Sequence, residues 1–178
     1  MEVLNIADNV LYNGTAIRAL TNEALNINMG KMKIIELDNG VRNIFIESYV
    51  DYVVEYVNTD EKTIVDKMTR QIVSFDYKDS IKFYKFGYET TFDQIKDGEV
   101  LSVYDNNDSN SRNIVVYVSD DKETGKITGI DEDLVYINGK TYHMAAGTDL
   151  TNEYISGFVG SFYIDASGRI VGADVASD

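Results

Sequence analysis

The feature that most constrains this chain is a stretch that recurs three times. Gly157–Val175 reads GFVGSFYIDASGRIVGADV: an apolar alternating run, a small polar turn, and a second apolar run. That is the pattern of a β-hairpin. Gly98–Ser119 (GEVLSVYDNNDSNSRNIVVYVS) and Gly30–Ser48 (GKMKIIELDNGVRNIFIES) follow the same plan. Each opens on Gly, reaches an Asp seven or eight residues later, and returns as a β-branched strand. Three such stretches predict an acidic, all-β protein assembled from divergent copies of one small module.

A second, shorter pattern precedes the hairpin. Met1–Ile17 (MEVLNIADNVLYNGTAI) and Lys126–Tyr142 (KITGIDEDLVYINGKTY) both read strand, acidic turn, apolar strand, Asn-Gly, strand. Asn13-Gly14 and Asn138-Gly139 supply the positive φ that a two-residue hairpin turn requires, so Gly139 is expected in that region. The tetrapeptide Leu-Thr-Asn-Glu then occurs at Leu20–Glu23 and at Leu150–Glu153, with Thr90–Ile95 at the same place in the middle copy. A polar residue and Glu ahead of apolar residues is a helix-start signal, here for a turn or two.

These matches divide the chain into three modules: residues 1–50, residues 51–120 with an insertion at 58–80, and residues 121–178. Ile44–Val50 runs almost directly into Val53–Val57, so the first two modules are predicted to share a barely broken strand. Asp120–Glu123 is the one polar linker, and alternation around Ile72–Phe75 suggests an extra hairpin inside the insertion. Five strands with a helical turn after the third predict tandem small five-stranded barrels, OB-like or SH3-like, which the pattern does not separate. Met32 and Ile34 share one phase of the alternation while Ile35 and Leu37 take the other. A β-bulge near Ile34–Ile35, with Gly160 at the corresponding place in the third copy, would reconcile them. A module of this size buries only about 60% of the surface its unfolded chain exposes, so the modules are expected to touch one another.

Composition narrows the partners. Lys+Arg 16 against Asp+Glu 30 gives a net charge of -14 and opposes nucleic acid, whose binding depends on phosphate neutralisation. Cys 0 removes disulfides, thiolate metal sites and cysteine nucleophiles. No run approaches the ~18 apolar residues of a membrane helix, so membrane insertion is not expected. The start lacks the basic and apolar blocks of a signal peptide. Met1 falls just before a repeat begins, as expected of a segment of a longer chain.

The sequence assigns no catalytic, cofactor-binding or metal-ligating residue. His143 is the only histidine; it matches Arg18 in the first copy and reads as a solvent-facing strand residue. Asp105–Asn110 has the acid and amide density of a calcium loop, but Asn110 and Val116 stand where an EF-hand needs Gly and Glu. It reads as a hairpin turn, with a weak non-EF calcium site as the alternative. Asp131-Glu132-Asp133 reads as a solvated turn. The spacings of Gly157 with Gly160 and of Gly168 with Gly172 are not those of a phosphate loop. Tyr136, Tyr142 and Tyr163 are candidates for stacking on sugars, although strand alternation favours core and half-buried roles.

At VLYNGTAIRALTNEALNINMGKMKIIELDNG, VLSVYDNNDSNSRNIVVYVSD and ITGIDEDLVYINGKTYHM, the chain resembles the repeat region of clostridial-type cell-surface proteins that carry S-layer homology domains. The resemblance implies export, an extracellular position at the cell surface, and a structural role among other domains of the same protein. It supplies no site residues. The expected function is a non-catalytic structural or spacer module that extends or presents other parts of a surface protein. The alternative is a binding module for a surface glycan or a protein partner. A contiguous exposed aromatic patch would favour binding; aromatics confined to cores would favour the spacer.

Overall fold

The computed structural model describes residues 9–17, 25–27, 29–76, 80–108, 110, 112–148 and 157–175. The chain there is all-β, with one 3-10 turn at Phe92–Gln94 where the middle copy carries its helix-start signal. The two Leu-Thr-Asn-Glu segments and Arg18 lie outside the described residues.

The first sheet has four strands: β1 (Asn9–Tyr12), β2 (Thr15–Ile17), β3 (Gly30–Glu36) and β4 (Arg42–Ser48), in the order β2-β1-β4-β3. Asn13 and Gly14 turn β1 into β2 with φ of 45° and 80°, as an Asn-Gly hairpin requires. The alternating β4 sends Ile44 and Ile46 into a core with Val10 and Tyr12. Met32 and Ile34 stand opposite Ile46 and Ile44 yet remain 39% and 48% exposed. The bulge expected at Ile34–Ile35 is absent, since pairing runs unbroken from Gly30↔Ser48 to Glu36↔Arg42. An edge strand with both faces exposed has no single buried phase to keep.

The second sheet has seven strands: β5 (Val50–Asn58), β6 (Thr63–Asp66), β7 (Ile72–Ser74), β8 (Ser80–Lys85), β9 (Tyr88–Thr90), β10 (Val100–Asp105) and β11 (Asn113–Ser119). Their order is β7-β6-β5-β10-β11-β8-β9. Only Tyr49 separates β4 from β5, so the barely broken strand is present. The insertion supplies β6 and β7 as an antiparallel pair. Phe75, Phe83 and Phe92 meet with ring centroids 5.6 to 6.0 Å apart and anchor the core around Val54, Ile64, Leu101 and Val116.

The third group is a closed barrel of β12 (Lys122–Asp131), β13 (Leu134–Ile137), β14 (Lys140–Met144), β15 (Val159–Ile164) and β16 (Arg169–Val175). One long bent strand closes it: the first half of β12 pairs with β15 and its second half with β13, the register shifting between Ile127 and Gly129. The shift in the long hairpin lies at Tyr163/Ile164 rather than at Gly160. Lys122 and Glu123 already belong to β12, which shortens the expected linker to Asp120 and Asp121. Strand closure is seen in this group alone among the described residues.

The matched Asn-Gly hairpins dock by opposite strands. In the first sheet β1 lies parallel to β4, and β8 of the second sheet lies parallel to β11 in the same way. In the barrel the later strand of the hairpin, β14, lies parallel to β16. The far edge of β13 is taken there by β12, which leaves only β14 free for that contact.

Candidate functional site

The three groups of strands meet on one buried core of Met29, Tyr49, Val53, Val100, Ala145, Tyr163 and Val171. At its centre lie two carboxyl groups from different sheets. Asp165, buried in the β15–β16 turn, accepts the N–H of Ser167 at 2.9 Å and of Arg169 at 2.8 Å. Tyr49, at the joint of β4 and β5, donates its hydroxyl to Asp165 Oδ2 at 3.1 Å and touches Ser167 Oγ at 3.0 Å. Burial pushes the Tyr49 hydroxyl up to about 12.

Asp51, one residue into β5, faces the same point. Its Oδ1 accepts the Ser102 hydroxyl at 2.6 Å, while its Oδ2 is buried with no hydrogen-bond partner. Burial pushes this carboxyl up to about 7; the Ser102 bond opposes, the Asp165 charge adds, and Arg169 opposes. An ionised carboxylate only accepts hydrogen bonds, so two side by side repel; a proton on one turns it into a donor. Both Asp51 oxygens are turned towards protein.

Beside this junction the outward face of the second sheet is open. Ile114, Val116 and Val118 of β11 point into the core, so Val115 and Tyr117 point away from it. Tyr84 lies opposite Tyr117, and Tyr104 opposite Val115. The rings form a run: Tyr84 stacks on Tyr117 at 5.8 Å, Tyr117 meets Tyr104 edge-on at 5.5 Å, and Tyr104 stacks on Tyr49 at 4.8 Å. A cleft of about 430 Å³ over Tyr104 and Tyr117 is walled by Asn13-Gly14 and by Ala166-Ser167. A second, of about 520 Å³ over Tyr84 and Lys82, shares Val115 with it, so the two adjoin as one groove. Asn13 fixes one wall, its amide donating to the carbonyls of Ser48 at 2.8 Å and Asp105 at 2.7 Å.

Of the candidate site residues named from the sequence, Tyr163 joins the shared core and the others lie elsewhere. His143 is exposed on β14 with Nδ1 2.9 Å from Asp133, and that bond holds the Asp133 carboxyl below its usual range. Asp105 takes Arg112 at 2.5 Å and the Asn107 N–H at 2.8 Å, as a hairpin turn does. Asp131 ends β12, and Glu132 has a φ of 52° in the tight turn to β13. Among the described residues no three His, Cys, Asp or Glu side chains gather as metal ligands. Gly160 backs onto Asp174, whose carbonyl would lie 2.4 Å from an added Cβ, which is a packing role. Tyr136 is half-buried on the barrel; Tyr142 donates to Glu123 at 2.7 Å, and the buried Tyr163 donates to Asp174. Asp51, Tyr84, Tyr104 and Tyr117 escaped sequence reasoning. An acid inside the apolar run VDYVVEYV was the visible signal for Asp51.

No protein-family model, curated protein or solved structure matches the chain. No helix among the described residues is long and apolar enough to cross a membrane.

Proposed function

We propose that the chain is a non-catalytic structural module of an exported bacterial cell-surface protein, whose partners are the other domains of that protein. The observation that carries this reading is the core shared by all three groups of strands, from Met29 to Val171. A chain whose sheets are bolted together fixes the relative position of whatever is attached to it. Met29 Sδ accepts the Ala146 N–H at 3.0 Å, so the first sheet touches the barrel as well as its sequence neighbour. That contact suits presenting other domains better than extending them.

The three groups are read as tandem variants of one barrel-derived module. The barrel order β12-β13-β14-β16-β15, with its third and fifth strands parallel, suits an OB-like rather than an SH3-like plan. A second reading, a binding module for a glycan, is favoured by the tyrosine-floored groove. Antibody against the chain should label intact cells of its source, and hydrolase screens should be blank. Purely cytosolic staining, or turnover of any screened substrate, would overturn the structural reading.

A further inference from the structure

We propose that the groove over Tyr104, Tyr117 and Tyr84 binds a linear, uncharged oligosaccharide. The inference rests on the binding-module reading and leaves the structural role as it stands.

Three observations converge on it. First, the tyrosines of this chain divide by what their hydroxyls do. Tyr49, Tyr142 and Tyr163 each donate to a carboxylate. Tyr84 and Tyr117 make ring contacts and hydrogen-bond to no other described residue, while Tyr104 packs between them and the buried junction, where burial raises its hydroxyl. Tyrosines at recognition surfaces combine an apolar ring with such a polar tip. Second, the floor is pre-formed. The rings rest against one another on paired strands of a sheet, so binding orders few side chains. Tyr117 is 42% exposed and Tyr104 lies deeper, which gives a platform that slopes into the cleft. Third, the groove lies where three sheets meet, as ligand sites commonly do.

The chemistry of the ligand follows from the surroundings. Flat rings favour ligands with a flat apolar face, which sugars in an extended chain, bases and aromatic side chains all possess. The net charge of -14 disfavours polyanions; in the groove itself Glu47 lines one cleft, and Lys82 and the Asp105-paired Arg112 line the other. A peptide that extends a sheet needs a free strand edge, and one that docks in an aromatic groove has to be Pro-rich. This floor is built on β8, β11 and β10, which have neighbours on both sides. A neutral sugar chain stacks by its carbon–hydrogen faces and bonds the phenol hydroxyls by its own. The two clefts, of about 430 and 520 Å³, share Val115 and so offer more room than a single ring fills.

The test is calorimetric titration of the full chain with cellohexaose and with the hexamer of N-acetylglucosamine. At least one is expected to bind with Kd below ~1 mM, the weak end of specific affinity. Tyr117→Ala should weaken that binding roughly tenfold or more, the size of one lost stacking partner, in a chain that still unfolds cooperatively at a somewhat lower Tm. Tyr117→Phe keeps the ring and should fall between the two, and Tyr136→Ala on the barrel should bind as the parent does. Binding that survives both Tyr117→Ala and Tyr84→Ala would place the sugar elsewhere, overturning the groove and keeping the binding-module reading. No heat from either hexamer at ~10 mM, far above any useful Kd, would remove both. Tighter binding of a sulfated oligosaccharide, weakening with salt, would overturn the uncharged ligand.

Discussion

Asp51 is the residue whose protonation the junction depends on. The groups that face it are Tyr49 at the joint, Ser102 and Tyr104 on β10, Asp165 in the barrel turn, and Arg169 on β16. Its carboxyl titrates near its ordinary value of 3.8 when unfolded and at about 7 when folded. The folded chain therefore holds a proton that the unfolded chain releases, and the stability it brings is complete below the lower value. That stability is lost as pH rises towards the upper one. Glu123 acts in the opposite sense. Lys140, Tyr142 and Asn138 lower it to about 2, so its contribution is present above its ordinary 4.5 and fades on acidification. Melting temperature should peak near the lower end of the Asp51 window and fall towards pH 7. Asp51→Asn, which supplies a permanent donor, should flatten that fall; an unchanged slope in thermal melts would clear Asp51 of the role. Two glycines make a second pair of expectations. Gly30 has φ +130°, and an added Cβ would lie 1.8 Å from the Glu47 carbonyl oxygen. Gly139 has φ +78°, as its turn predicted, with open space around it. Gly139→Val should cost about 1–3 kcal/mol from backbone strain alone. Gly30→Ala should cost more, because strain and collision add. Equal losses in denaturant melts would contradict that division.

Elements show where local sequence speaks and where it falls silent. The turns were legible, since Asn-Gly and the Asp of each long hairpin impose their geometry within four residues. The joint at Tyr49 was legible for the same reason. The bulge assigned to Ile34–Ile35 was not, because a phase break and a doubly exposed edge leave the same trace in an alternating sequence. Nor could alternation say which strand of an Asn-Gly hairpin would lie against the last strand; that choice depends on whether a distant β12 has already occupied one edge. The groove was missed on the same ground, as Tyr84 and Tyr117 are neighbours only after β8 and β11 pair in parallel. Packing between elements sets a further expectation. Phe92, on the 3-10 turn, seals the core through Phe75 and Phe83, so Phe92→Ala should destabilise by about 3–5 kcal/mol in chemical denaturation. A loss below ~1 kcal/mol, the range of ordinary surface changes, would mean the turn is not what closes that core.

At the scale of the whole molecule, the shared core predicts one cooperative unfolding transition. Calorimetry that resolved separate transitions would show the sheets to be independent. Calcium should not alter it, because the acidic turns bond their own backbone and no ligand cluster forms among the described residues. A chelator that lowered Tm, with recovery on adding calcium, would refute that. The direct joints matter most when the chain is pulled. Tyr49 alone lies between β4 and β5, and only Asp120 and Asp121 between β11 and β12. There is no slack segment at either joint to straighten first. Tension passing from one sheet to the next loads hydrogen-bonded ladders from the outset. Between its sheets the protein resists stretching as a bolted strut does, yielding by fracture of strand pairs and not by gradual extension.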